Sequence, residues 1–278
     1  MKPTGGAVRQ HNQSVLDGFV AYRKATKGLT KRDEQWLNQM LGRYLRYVQI
    51  PVEAAQPTEL AQFLAPYADH PFQRHGLYRA LKSFYGWLKR LRYISDNPME
   101  YIDPPKVPDR ILNTVSPEQA RILIDSASCT RDKAIVALFA DSGARRGEVV
   151  GIRMRDVDLV HSRIRVDGKG GKEGYLLFGP ATQALLAEYI DECGPTDKLF
   201  TLNYEGIKTM LRRLGDKTGI VARPHDFRRG FATTLRRMGV GELDIAQMGR
   251  WSSLEMVRRY TKAYSFEDAA SRYQPVVR

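Results

Sequence analysis

Across the first hundred residues, apolar side chains recur three and four positions apart, the interval that gathers them on one face of a helix. Leu37, Leu41, Tyr44, Leu45 and Val48 make one such stripe. Ahead of it stands Thr30-Lys-Arg-Asp33, a hydroxyl cap with an acid three residues later. Thr58 is expected to open a shorter helix with Leu60, Phe63 and Leu64 on its inner side. After Pro71 a longer pattern puts Tyr78, Leu81, Tyr85, Leu88 and Arg92 on one side, flanked by Arg74, Arg79, Lys82, Lys89 and Arg90. Residues 14–22 predict one more helix. Residues 1–102 are therefore expected to form a small all-α domain with one strongly basic helix.

Asn97-Pro98 ends this pattern, and three prolines follow within residues 103–110. Proline disfavours regular structure and stiffens the backbone, so residues 103–112 read as a linker. The composition changes beyond it. Ser116-Pro117-Glu118 carries the signature of a helix start, and Thr130 is expected to cap a helix running through Ile135, Leu138 and Phe139 to Gly143. Residues 163–166 and 175–178 flank the glycine turn Gly168-Lys169-Gly170-Gly171, which predicts a hairpin. After Pro180 the pattern is helical to Tyr260 and past it. The expected fold is mainly α with a small antiparallel β-hairpin: an all-α domain, then a mixed α+β domain over residues 113–278.

Charge narrows the class of partner. The chain's 278 residues hold 44 Lys and Arg against 31 Asp and Glu, a net charge of +13 shared by both halves. Such an excess suits a polyanion, above all nucleic acid. Cys129 and Cys193 are far apart and lack a metal-ligand spacing, so they read as thiols in a reducing compartment. The first residues lack the apolar stretch of a signal peptide, and no apolar run is long enough to span a bilayer. A cytoplasmic protein that acts on the nucleoid, with no membrane partner, is expected.

Three segments carry chemistry. Asp141-Ser-Gly-Ala-Arg145-Arg-Gly-Glu148 closes one helix and opens another. In Pro224-His225-Asp226-Phe227-Arg228, His225 and Arg228 are three apart and share a helix face, with Phe227 and Phe231 turned to the core. In the third segment Trp251 and Tyr260 are nine residues apart, with Ser252-Ser253 between them. Each segment alone has an ordinary reading, as a surface arginine, a solvated basic face and an apolar stripe. Asp156 and Asp158 could be imagined as a metal pair but read as surface turn polarity. Two arginines can clamp a phosphate, a lysine and a histidine can move protons, and a tyrosine can be a covalent nucleophile.

In their order and spacing the segments resemble the tyrosine recombinases, the phage integrase family. The family's Thr-Gly-x-Arg-x-x-Glu motif stands here as Ser142-Gly143-Ala144-Arg145-Arg146-Gly147-Glu148, its His-x-x-Arg box as His225 and Arg228, and its Gly-His/Trp-Ser-Ser segment with the nucleophile as Trp251 and Tyr260. Its hairpin lysine in a Gly-Lys-Gly context matches Lys169, with Lys172 on the same turn as the alternative. Tyr264 is the alternative nucleophile, at the wrong offset from Trp251. Gly174 stands where an arginine often follows Lys-Glu.

The resemblance implies a site-specific DNA recombinase that cleaves and rejoins strands through a 3′-phosphotyrosine intermediate, without metal, ATP or cofactor. Arg145 and Arg228 would hold the phosphate oxygens and Trp251 would donate to them. His225 would accept the tyrosine proton or hydrogen-bond the phosphate. Lys169 would protonate the leaving oxygen, and Glu148 would orient its neighbours. The implied partners are double-stranded DNA sites and a homo-tetramer at synapsis, or one shared with a related recombinase. Ala269, Ala270, Tyr273 and Val276 of the tail are expected to contact a neighbouring subunit. A type IB topoisomerase and a catalytically silent DNA-binding regulator are the competing readings.

Overall fold

The computed structural model describes residues 5–108, 112–167, 173–194 and 196–273, and its helices and single small sheet divide into two compact units, Met1–Asp109 and Arg110–Arg278. The first unit is four helices, α1 (Gly5–Lys27), α2 (Lys31–Tyr47), α3 (Pro57–Leu64) and α4 (Pro71–Arg90). Thr30 caps α2 as expected, its side chain accepting from the Asp33 amide. Residues 14–22 are the middle of α1, a longer helix than the pattern suggested. Thr58 does not open α3. Pro57, which has no amide hydrogen to lose, takes the first position, and the Glu59 carboxylate accepts from the Gln56 amide at 2.9 Å. Arg92 is not on α4 either: the helix ends at Arg90, and Arg92 has φ 61°.

The stripes foreseen on α2 and α4 meet in one core with Phe19, Leu60 and Leu64. Two hydroxyls inside it are satisfied in series. Tyr85 donates to the Val52 carbonyl at 3.0 Å, leaving its oxygen to accept from Tyr44 at 2.6 Å.

The second unit begins with α5 (Pro117–Ser126), α6 (Thr130–Ser142) and α7 (Arg146–Gly151). Ser116 caps α5 as its motif predicts. Cys129, not Thr130, occupies the cap of α6, because the Thr130 hydroxyl is drawn to Glu192 at 2.9 Å. Gly143 then ends α6 with φ 55°, and its missing side chain admits the ring of Phe231, which a Cβ would meet at 2.7 Å.

The hairpin is a three-stranded antiparallel sheet: β1 (Val157–Asp158), β2 (Arg163–Asp167) and β3 (Glu173–Leu177). Ile164 pairs with both Val157 and Leu176 across the sheet. The strand β1 falls on the segment expected as a turn, where Asp156 accepts from Arg165 at 2.7 Å and Asp158 from Arg163 at 3.2 Å. The two carboxylates are thus held by arginines. Lys169 and Lys172 lie outside the described residues.

Helices α8 (Pro180–Cys193), α9 (Tyr204–Thr218) and α10 (Pro224–Arg237) complete the main core, with Phe139, Leu186, Phe200 and Phe227 buried in it. A smaller cluster of Phe231, Ala232, Ile245, Trp251 and Val257 joins α10 to α11 (Glu242–Gly249) and α12 (Leu254–Tyr260). Last comes α13 (Phe266–Ala270), tied to α10 by Arg237 and Asp268 at 3.0 Å, with Phe266 and Tyr273 exposed. Among the described residues, no helix is long and apolar enough to cross a membrane.

Candidate active site

The site is made at helix ends. Arg145 stands at the cap of α7, just after the left-handed turn at Gly143. Its amide donates to Glu148 Oε2 at 2.7 Å and its guanidinium to Glu148 Oε1 at 2.6 Å. A second guanidinium nitrogen donates to the Arg250 carbonyl at 2.9 Å. Glu148 is almost fully buried, which alone would raise its pKa. The charge of Arg250 and the hydrogen bonds from Arg145 outweigh burial and hold the carboxyl below the ordinary glutamate value. It therefore stays an anion between two cations.

Arg228 does not lie on a solvated helix face, the ordinary reading of its segment. Although it sits one turn after His225 on α10, its side chain is 1% exposed. It donates to the Gly143 carbonyl at 2.6 Å and to the Gly249 carbonyl, joining the end of α6 to the end of α11. Its guanidinium lies 4.3 Å from the centre of the Trp251 ring and 5.9 Å from that of Tyr260. Burial, and then the charges of Arg145 and Arg250, push its pKa down to about 9, so it remains charged at neutral pH.

Trp251 and Tyr260 share this corner, their ring centres 5.1 Å apart. The Trp251 Nε1–H is buried and has no hydrogen-bond partner among the described residues. An unpaired buried donor is costly, so a donor in this state is ready for an acceptor arriving with a ligand. Tyr260 is the last residue of α12, a helix capped by Ser253. Tyr264 is turned elsewhere, its ring 5.5 Å from the Arg236 guanidinium. His225 lies near the protein surface. Partial burial of its ring, then the charges of Arg229 and Arg228, lower its pKa, which favours the neutral imidazole.

Arg145, Glu148, Arg228, Trp251 and Tyr260 are thereby brought together, with His225 at the edge. Lys169 cannot be added, since it lies outside the described residues. Arg250 is a member that the sequence reading missed. Its side chain is 9% exposed and bonds Glu148 at 3.1 Å. A Gly-Arg pair where a helix must stop is the only local signal of it. The partner, Glu148, is too distant in sequence to be suggested by spacing.

Arginines are gathered around a tyrosine on a helical frame with a small antiparallel sheet. The Phage integrase family model matches residues 111–266, and the chain belongs to that family, the tyrosine recombinases. Tyrosine recombinase XerA of Saccharolobus solfataricus is 25% identical over 260 residues, covering 92% of this chain and 82% of its own. Tyrosine recombinase XerC of Pelobacter propionicus is 32% identical over 199 residues, 66% of each chain. Among solved structures, a lambda integrase dimer bound to a COC′ core site superposes with a TM-score of 0.76 at 14% identity, covering 95% of this chain and 98% of that one. That last likeness is one of fold.

Proposed function

We propose that this recombinase cleaves and rejoins double-stranded DNA at specific sites, with Tyr260 as the nucleophile. The observation that carries the reading is the packing of Tyr260 and Trp251 against the buried guanidinium of Arg228. An ordinary tyrosine hydroxyl is protonated at neutral pH. It becomes nucleophilic as its proton leaves, and neutral His225 is the acceptor suited to take it. The phenolic oxygen bonds to phosphorus while the bond from phosphorus to the 5′ oxygen breaks. The departing oxygen takes a proton from Lys169. A 3′-phosphotyrosine bond and a free 5′ hydroxyl result, and the reverse steps rejoin the strand with no outside energy source.

Arg145 and Arg228 would carry the charge that grows on the non-bridging oxygens, and the Trp251 Nε1–H would meet one of them. Loss of one preorganised donor of this kind costs roughly 10²–10³ in rate. The basic helical unit over residues 1–102, joined by the linker 103–112, would grip DNA beside the catalytic domain 113–278. The assembly at synapsis would be a tetramer on two DNA sites. Residues Ala269, Ala270 and Tyr273 would then contact a neighbouring subunit, together with Val276, which lies outside the described residues. Such an enzyme works where the DNA is, in the cytoplasm on the nucleoid.

The test is covalent trapping. The protein is incubated with fragmented host DNA, the adducts are isolated under denaturing conditions, and the attached DNA is sequenced. A duplex nicked near the recovered cleavage position should then accumulate adduct with wild type and none with Tyr260→Phe. Binding of that duplex without any wild-type adduct would overturn the reading in favour of a silent DNA binder. Sequence-indifferent relaxation of supercoils would favour a topoisomerase.

A further inference from the structure

Arg250 caps α11 with φ 55° and ψ 44°, in the left-handed region. Glycine would take that conformation without strain, whereas arginine takes it at a cost. Its side chain is nonetheless folded inward and reaches three acceptors. One terminal nitrogen donates to the Met248 carbonyl at 2.7 Å and to the Tyr175 carbonyl on β3 at 3.0 Å. The other donates to Glu148 at 3.1 Å. The residue's own carbonyl accepts from Arg145 at 2.9 Å. Arg250 therefore holds Arg145 from two directions, by its backbone directly and by its side chain through Glu148. It also fastens the site to the strand that follows the hairpin turn.

The path of this side chain depends on one neighbour. A Cβ placed on Gly174 would stand 2.8 Å from Arg250 Cδ and 3.2 Å from Cγ. Real Cβ atoms essentially never come closer than 3.0 Å, so even alanine at 174 would push the arginine aside. The side chain is 9% exposed, and both its terminal nitrogens are spent on holding other parts of the site in place.

We infer that Arg250 is a positioning residue for strand cleavage, setting Arg145 through Glu148 and steadying the β2–β3 hairpin through Tyr175, and that Gly174 makes the room it needs. The inference rests on the cleavage reaction proposed above. A misplacement of about 1 Å in a reacting group can cost on the order of 10²-fold in rate, and such a displacement is what loss of Arg250 would allow.

Four proteins test it: Arg250→Gly, Arg250→Lys, Gly174→Ala and the double variant Gly174→Ala/Arg250→Gly. The probe is the nicked duplex recovered by trapping. The single-turnover rate of adduct formation, the affinity for the duplex and the melting temperature are read for each. Arg250→Gly, which relieves the left-handed strain, should slow adduct formation by about 10²-fold while duplex affinity stays within about threefold of wild type, the split expected of a group that positions and does not bind. Gly174→Ala should slow it in the same direction. The double variant should be no slower than Arg250→Gly, because the space is then empty. Arg250→Lys, with one nitrogen in place of two, should restore only part of the rate. Wild-type cleavage by Arg250→Gly, wild-type cleavage by Gly174→Ala, or full additivity in the double variant would each overturn the inference. A fall in affinity and melting temperature that accounts for the whole rate loss would reduce Arg250 to a structural residue and overturn it too. No adduct with wild type would instead sink the cleavage reaction itself.

Discussion

In the proposed reaction, His225 is the residue whose state decides whether attack can begin. A base accepts a proton only when neutral, and the surroundings of His225 lower its pKa from the ordinary value near 6.5. The neutral form is therefore favoured at pH 7, and it gives way to the protonated form as pH falls below the ordinary histidine midpoint. Adduct formation should accordingly be flat around neutrality and fall on the acid side. In His225→Gln the rate should drop by about 10²–10⁴ and the acid limb should disappear. An acid limb that persists unchanged in the variant would remove His225 from the role of acceptor. Arg228, buried and close to the charges of Arg145 and Arg250, answers differently: pushed down to about 9, it keeps its proton throughout this window.

At the scale of elements, the proposed nucleophile depends on a short helix. Helix α12 has seven residues, too few to be stable through its own hydrogen bonds. It is held by the buried contact of Val257 and by Ser253, whose side chain accepts from the Met256 amide at 3.4 Å. Ser253→Ala should cost about 0.5–2 kcal/mol locally. Because Tyr260 closes this helix, adduct formation should fall more than the global melting temperature does. Parallel kinetics and thermal melting check this, and a rate equal to wild type would mean that Val257 suffices.

Much at this scale was legible in the chain. The caps at Thr30 and Ser116, the start at Pro71 and the stop at Gly143 are local chemistry, so a short window of sequence holds all that is needed. The nearness of Arg145 and Glu148, three apart at one helix start, was legible for the same reason. What escaped was set by distant neighbours. Thr130 lost its capping role to Glu192, and β1 exists because two residues meet Ile164 and Arg163 across the sheet. Arg228 looks like a surface charge until Gly143 and Gly249 bring carbonyls to it. Arg250 shows the same limit, since its acceptors come from α7, α11 and β3 together.

At the scale of the whole molecule, all the described site residues belong to the second unit, so cleavage and the choice of DNA sequence need not rest on the same residues. The tail offers a separate handle. The described part of the tail touches its own chain through Arg237 and Asp268, and through the Arg272 guanidinium on the Arg236 carbonyl at 3.3 Å, yet Phe266 and Tyr273 remain exposed. Removal of residues 265–278 is expected to leave binding to one DNA site intact and to abolish strand exchange between two. Gel shifts with a single-site duplex and a two-site recombination assay separate these outcomes, and unimpaired recombination would sink the role of the tail.

The corner of Arg145, Arg228 and Arg250 holds three positive charges and, in Glu148, a single carboxylate that bonds two of them. Without substrate the folded protein therefore works against itself, crowding like charges that the unfolded chain could separate. A scissile phosphate would be the missing counterion as well as the reactant. Small tetrahedral oxyanions such as sulfate should then raise the melting temperature above what chloride does at equal ionic strength, by binding the folded form alone. The gain should shrink in Arg145→Ala; an equal gain there would mean the anion settles elsewhere. On the proposed reaction the phosphate would thus do two things at once, offering the bond to be broken and easing the repulsion that folding imposes on this corner.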